Sequence, residues 1–383
     1  MPEPIPFHRP SIHEAEVEAV TAALRSGWLT TGKKTHELEA AVAAYVGMPH
    51  AIALASGTAA LHLALIAAGA GPGDEVVTSP YTFVATGEAI LYVGAKPVFV
   101  DVEPATKNMS PELVASAITL RTRAILPVSI AGHPCRSVEI GALAKRHAIP
   151  VIEDAAHSLT ARIGDVPVGR QADITCFSFY ATKGVTAGEG GMVVTGRAEW
   201  GDRVRRLSLH GLSSEAWSRY ESGGWWEYDV TELGYKYNLT DLQGALALTQ
   251  MSRAESMRAR REAIAARYSA AFAAVAGIQV PKAAPGVRHA WHLYQIAVVE
   301  GSRVDRDALA KALREDGIGT SVHFKPLHLF PWYQRTLGVR PGQFPAAEAA
   351  YARTLSLPIW PDMTDAQVDR VAERVRMHVE GTR

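Results

Sequence analysis

The chain has no surplus of charge. Its 383 residues carry 39 lysines and arginines against 39 aspartates and glutamates. A surface without excess positive charge tracks phosphate backbones poorly, so nucleic-acid binding is not expected. Cysteine is nearly absent. Cys135 and Cys176 form no CxxC pair, which excludes a disulfide framework and a cysteine-rich zinc site and points to a reducing, cytoplasmic compartment. The first twenty residues hold no basic region followed by an apolar stretch, so no secretory signal is expected. Long apolar runs are missing too. The nearest is Ala51 to Gly73, free of Asp, Glu, Lys and Arg but rich in Ala and Gly and interrupted by Ser56-Gly57-Thr58. A spanning helix needs ~20 strongly apolar residues. The segment reads instead as a buried strand (AIALA), a turn and a helix, and no membrane association is expected.

What is present is ordinary for a globular protein: 48% hydrophobic and 20% charged residues. The length matches two to three domains of ~150 residues. Ser11 reads as the N-cap of a helix ending at Gly27, and a second helix follows the loop WLTTGKK. From residue 50, short apolar runs alternate with helical patterns: AIALA, EVVTSP, KPVFVDV, AILPVSI, PVIEDAA, DITCFSF and GGMVVTG. Bare runs without in/out alternation are typical of strands covered on both faces, and repeated βα units imply a mainly parallel sheet. After Asn238 the pattern is helical for over thirty residues. Beyond Gly277 it changes to a strand (HLYQIAVVE), a helix, a strand (GTSVHF) and a terminal helix after Pro361. The expected division is a large domain over 1–250 and a smaller α+β domain over 251–383.

Three groups at strand ends carry chemistry. Ser56-Gly57-Thr58 opens a helix, whose free N–H groups and positive dipole end can hold a phosphate. Glu153-Asp154 ends a strand, with His157 three residues on, where open α/β sheets bind ligands. Lys183 follows the apolar strand DITCFSF and precedes the glycine-rich run Gly188-Glu189-Gly190-Gly191. In an apolar pocket a lysine loses its proton more easily and becomes an amine nucleophile. Taken singly, each also fits a plain structural role as a cap, a turn or a surface lysine.

In this order the motifs resemble the DegT/DnrJ/EryC1/StrS sugar aminotransferases, which are pyridoxal phosphate enzymes of fold type I. SGWLTTG, ASGTAALHLAL, IEDAAHS, SFYATKGVTAGEGG and GYKYNLTDLQGALALTQ carry the likeness, and it covers nearly the whole chain. The resemblance implies an α/β, aspartate aminotransferase-like fold: a mostly parallel seven-stranded sheet in the large domain and a smaller C-terminal domain. It implies a catalytic pair. Lys183 holds pyridoxal 5'-phosphate as a Schiff base and shuttles the proton, and Asp154 pairs with the pyridinium nitrogen. It assigns Gly57, Thr58 and Ser178 to the cofactor phosphate, Phe83 to the ring face and His157 to the ring's phenolic edge. It assigns Asn238 to the partner's cofactor across a homodimer with shared active sites. Thr30, Thr31, His210, Lys236, His323 and His328 fall in segments similar to substrate-lining ones.

Within that family EDAAH, GYKYNLTD and HAWHLYQI look most like the enzymes of UDP-4-amino sugars. The implied reaction moves an amino group from an amino acid, L-glutamate, to C4 of a nucleotide-linked keto sugar. Transfer at C3 or onto a cyclitol stays open, because the motifs serve the cofactor rather than the ketone. A non-catalytic regulator on the same fold would be expected to lose Lys183 or Asp154, and both are present. Two other patterns are set aside. Gly27 to Lys34 nearly spells a P-loop, but Lys34 stands where magnesium needs Ser or Thr and a helix precedes it. His323-x4-His328 is interrupted by Pro326, and no metal site is expected. Trp217 to Tyr228 reads as an aromatic loop near the site or an interface.

Overall fold

The computed structural model describes residues 3–213 and 228–381; the aromatic stretch from Trp217 lies outside them, Tyr228 apart. The apolar runs form the strands β1 (His50–Leu54), β2 (Glu75–Thr78), β3 (Lys96–Phe99), β4 (Thr122–Leu126), β5 (Ile152–Asp154), β6 (Ile174–Ser178) and β7 (Gly191–Thr195). Pairing gives the order β1-β7-β6-β5 on one side and β4-β2-β3 on the other. Parallel bridges from Ile125 to Val151 and from Val128 to Asp154 join the halves. Only β7 runs against its neighbours. The sheet is therefore seven-stranded and mostly parallel, as the bare apolar runs imply. Its strands are buried almost throughout because helices cover both faces.

Around it lie α1 (Glu14–Ser26), α2 (Lys33–Val46), α3 (Gly57–Ala67) and α4 (Val84–Tyr92). Helix α1 starts later than its sequence pattern implies. His13, not Ser11, is its N-cap, with the His13 N–H donating to the Glu16 carboxylate at 2.9 Å. Ser11 is drawn away because its hydroxyl donates to Asp362 at 2.9 Å. Helix α3 is buried nearly all round, which explains why its sequence shows no polar stripe.

The long helical pattern after Asn238 is two helices, α5 (Asp241–Ser252) and α6 (Ala254–Phe272). The break is at Arg253, whose φ of −107° and ψ of 2° are not helical. Its guanidinium holds the Ser11 carbonyl and Glu16. Ala254 and Met257 pack with the large-sheet core, whereas Ile264, Tyr268 and Phe272 belong to the C-terminal one. That second core backs an antiparallel sheet of β8 (Ile278–Gln279), β9 (Tyr294–Val298) and β10 (Thr354–Leu357). Its covering helices are α7 (Arg306–Glu315) and α8 (Asp365–Glu380). GTSVHF is not a regular strand. Only single bridges hold this region, Ser321 to Ser356 of β10 and, just before the segment, Ile318 to Ile5 of the N-terminal segment. Ile5 is thereby buried in the C-terminal core.

Candidate active site

A cavity of about 620 Å³ opens at the carboxyl ends of β1, β5 and β6. It exists there because these three strands point the same way, so the loops that follow them meet at one edge. Gly57 and Thr58, Phe83, Asp154, His157, Ser178, Lys183 and His323 all line it.

After β1, Ser56 caps α3, its hydroxyl accepting from the Ala59 N–H at 3.0 Å. The N–H groups of Gly57 and Thr58 have no acceptor within the helix and face the cavity with the positive dipole end. Ser178 at the end of β6 approaches Gly57 so closely that a Cβ there would lie 3.0 Å from the Ser178 Cβ. Where β7 begins, Gly191 faces Ser56 even more tightly, and a Cβ would overlap the Ser56 carbonyl. The glycine run before β7 thus lets the backbone pass the helix entrance.

Asp154 ends β5 and is buried. Its Oδ2 accepts from the Thr86 hydroxyl at 2.8 Å and its Oδ1 from the Ala156 N–H at 3.1 Å. Burial raises the carboxyl pKa, against the opposing pull of those two bonds and of Lys183. Lys183 sits in the turn after β6, its backbone N–H bonded to the Tyr180 carbonyl at 2.9 Å. Burial lowers the ammonium to about 8, with Asp154 pulling the other way. The pocket therefore contains an amine that sheds its proton near pH 8, and a buried carboxyl group to which no cation is hydrogen-bonded among the described residues. His157 is held well below its ordinary value by burial, by Lys183 and by His323. Burial and then Lys183 lower His323 to about 4. Both imidazoles are neutral. His323 is oriented by Ser356, 2.9 Å from its Nδ1, and Phe83, 57% exposed, stands at the cavity wall.

The remaining sequence candidates are not in this cavity. Thr31, Lys236 and Asn238 form a separate cluster. The Asn238 amide donates to the Thr31 hydroxyl at 2.8 Å and accepts from Lys236 Nζ at 2.7 Å. Asn238 bridges the backbone of Leu54, so the cluster sits beside the end of β1. Thr30 and His210 are exposed. His328 is corrected: it is fully buried and its Nε2 is 2.8 Å from Glu348, which removes it from reach of a substrate. Four more lining groups, His8, Tyr180, His292 and Phe324, were not singled out from the sequence, although Tyr180 falls in SFYATKGVTAGEGG and His292 in HAWHLYQI. Thr86 does not line the cavity but holds Asp154.

A family model described as the DegT/DnrJ/EryC1/StrS aminotransferase family matches residues 10–376. Over 379 residues the chain is 47% identical to the spore coat polysaccharide biosynthesis protein SpsC of Bacillus subtilis, spanning 98% of this chain and 97% of that protein. Among solved structures, Spr1654 of Streptococcus pneumoniae, described as a sugar aminotransferase, matches in its PMP form. The TM-score is 0.93 at 34% identity, over 98% of this chain and 99% of that one; a PLP form matches at 0.92. DesI, solved in the presence of its TDP-sugar product, matches with a TM-score of 0.88 at 31% identity, over 100% of this chain and 94% of that one.

Proposed function

The chain belongs to the DegT/DnrJ/EryC1/StrS aminotransferase family, pyridoxal phosphate enzymes of fold type I, and we propose that it aminates C4 of a nucleotide-linked 4-keto sugar with L-glutamate as donor. The observation that carries the reading is one cavity holding the Lys183 amine, the Asp154 carboxylate and the open N-terminus of α3. The sugar nucleotide is supported by DesI with its TDP-sugar product and by the sugar and polysaccharide descriptions of Spr1654 and SpsC. C4 rests on the likeness of EDAAH, GYKYNLTD and HAWHLYQI to 4-amino-sugar enzymes.

The residues fit pyridoxal phosphate. A cradle that a Cβ at Gly57 would crowd, with two free N–H groups and the Ser178 hydroxyl, suits a phosphate. An amine without a hydrogen bond among the described residues suits an aldehyde. A buried carboxylate with no cation hydrogen-bonded to it suits a pyridinium nitrogen. When bound, the cofactor supplies an electron sink for the pair released from a substrate carbon. The protein's part is positional and acid–base. Lys183 Nζ would hold the aldehyde and, once released, would take up and return the proton of the substrate carbon, which a pKa of about 8 suits. Asp154 would keep the ring nitrogen protonated. Gly57, Thr58 and Ser178 would anchor the phosphate, and Phe83, at the cavity wall, would meet the ring. His323 contacts substrate in this reading.

Asn238, with Thr31 and Lys236 beside it, lies outside its own chain's cavity, and this supports a homodimer in which the cluster serves the partner. Thr30 and His210, both exposed, belong to the same shared face. The two buried free cysteines and the sugar-nucleotide substrate fit action in the cytoplasm. Among the described residues no helix is long and apolar enough to cross a membrane.

The test is spectroscopic. The purified protein carries a visible band that glutamate alone shifts. A panel of 4-keto and 3-keto nucleotide sugars then restores it, and the 4-keto members react fastest. A band indifferent to every amino donor would overturn the reading; faster turnover of 3-keto sugars would move the ketone to C3.

A further inference from the structure

His157 is held by three neighbours from different parts of the chain. Its Nδ1 accepts from the backbone N–H of Ala131 at 3.2 Å. That amide belongs to a tight turn in which Ala131 has a φ of 58°. The His292 ring packs against His157 with 4.3 Å between centroids and 35° between planes. Phe324 stacks on it at 5.9 Å and 20°. His292 is itself buried, and its Nδ1 has no hydrogen-bond partner among the described residues. Its ring therefore acts on His157 by packing. An imidazole whose Nδ1 accepts from an amide carries its hydrogen on Nε2 when neutral. Nε2 is at the far edge of the ring from Ala131, and His157 lines the cavity.

We infer that His157 is a hydrogen-bond donor of set tautomer and plane: Ala131 selects Nε2–H, and His292 and Phe324 are positioning residues that aim it at an anionic ring oxygen of the cofactor. The inference rests on the function proposed above and adds to it the device that orients the donor. Burial with Lys183 and His323 nearby keeps the ring neutral, so it donates one N–H and no charge. A charged ring would present two donors and break the Ala131 contact, since an amide N–H cannot donate to a protonated Nδ1. His292 is buried beside Lys183, Arg261 and His8 and is also kept neutral. The contact between the two imidazoles is then free of charge repulsion. On this geometry a flat ring at 292 holds the plane of His157, and truncating it to a methyl removes that contact.

The test uses the cofactor-free protein labelled with ¹⁵N-histidine, with His157→Gln to assign the signal. His157 is expected as the Nε2–H tautomer near neutral pH. In His292→Ala the signal becomes a mixture of tautomers, and His292→Phe restores it. With cofactor bound, the visible band shifts in His292→Ala and returns in His292→Phe. In His292→Ala, kcat drops roughly tenfold, as for one misaligned hydrogen bond to a charged group, at unchanged KM for the donor. Phe324→Ala gives the same pattern and serves where His292→Ala folds poorly. A charged or Nδ1–H imidazole at 157 in the wild type overturns the inference, as does an unaltered tautomer and band in both His292→Ala and Phe324→Ala. Failure of the wild type to bind pyridoxal phosphate would instead overturn the aminotransferase reading and leave the tautomer measurement standing.

Discussion

Thr86 donates its hydroxyl to Asp154 Oδ2 at 2.8 Å, tying the first turn of α4 to the end of β5. The Thr86 hydrogen is committed to the carboxylate, so Thr82, 2.7 Å away, donates to the Thr86 oxygen. One hydroxyl of the first turn of α4 thus holds the carboxylate, and Thr82, just before the helix, holds that hydroxyl. Thr86→Val keeps the shape and removes the bond. A hydrogen bond to a charged group is worth ~1.5–3 kcal/mol, so kcat should fall by one to two orders of magnitude. Steady-state kinetics alongside a cofactor titration check this, and unchanged kinetics would make Thr86 a mere packing residue.

Lys183→Ala should abolish turnover and the adduct trapped by borohydride, while the chain stays folded by circular dichroism. A trapped adduct in the variant would place the covalent link on another amine.

The lowered Lys183 pKa predicts a pH dependence of stability in the cofactor-free protein. The folded value is about 8 against 10.5 for a free lysine. Between these values the unfolded chain holds a proton that the native chain has lost, so stability rises with pH by up to ~1.4 kcal/mol per pH unit. Below pH 8 the cost of the buried charge is fully present. Because the amine opens onto the cavity, the total gain is on the order of 2 kcal/mol rather than the full ~3. Urea unfolding of wild type and Lys183→Met across pH 7–11 should show this rise in the wild type alone. Parallel curves would show an amine already well solvated.

Gly191→Ala should damage the phosphate cradle without touching a catalytic group. Its Cβ meets the Ser56 carbonyl and the Gly57 nitrogen, which are backbone atoms that move only with α3 or β7. Overpacking of this kind costs ~1–3 kcal/mol. Thermal unfolding should drop by several degrees, and cofactor binding should weaken more than tenfold. Full affinity in the variant would argue that the phosphate sits elsewhere.

Mixing inactive Lys183→Ala and Asn238→Ala chains should restore part of the activity. One site of each mixed dimer then has its own Lys183 and the partner's intact Asn238. Subunit exchange is followed by tagged chains. Exchange without recovery would confine Asn238 to a local role with Thr31 and Lys236.

The bare apolar runs were enough to specify a buried parallel sheet, because strands covered on both faces need no polar alternation. The groups directly after β1, β5 and β6 were legible for the same reason: a residue one turn beyond a parallel strand end must lie at the carboxyl edge. Gly57, Asp154, Ser178 and Lys183 were therefore determined by local sequence. Contacts between distant segments were decided by tertiary packing alone. His8 reaches the carbonyl of Ala181 at 3.2 Å across 173 residues, His292 reaches His157, and His328 turns inward to Glu348 although His323, five residues earlier, faces the cavity. No periodicity encodes such meetings, since they depend on how the C-terminal layer and the N-terminal segment settle against the sheet edge.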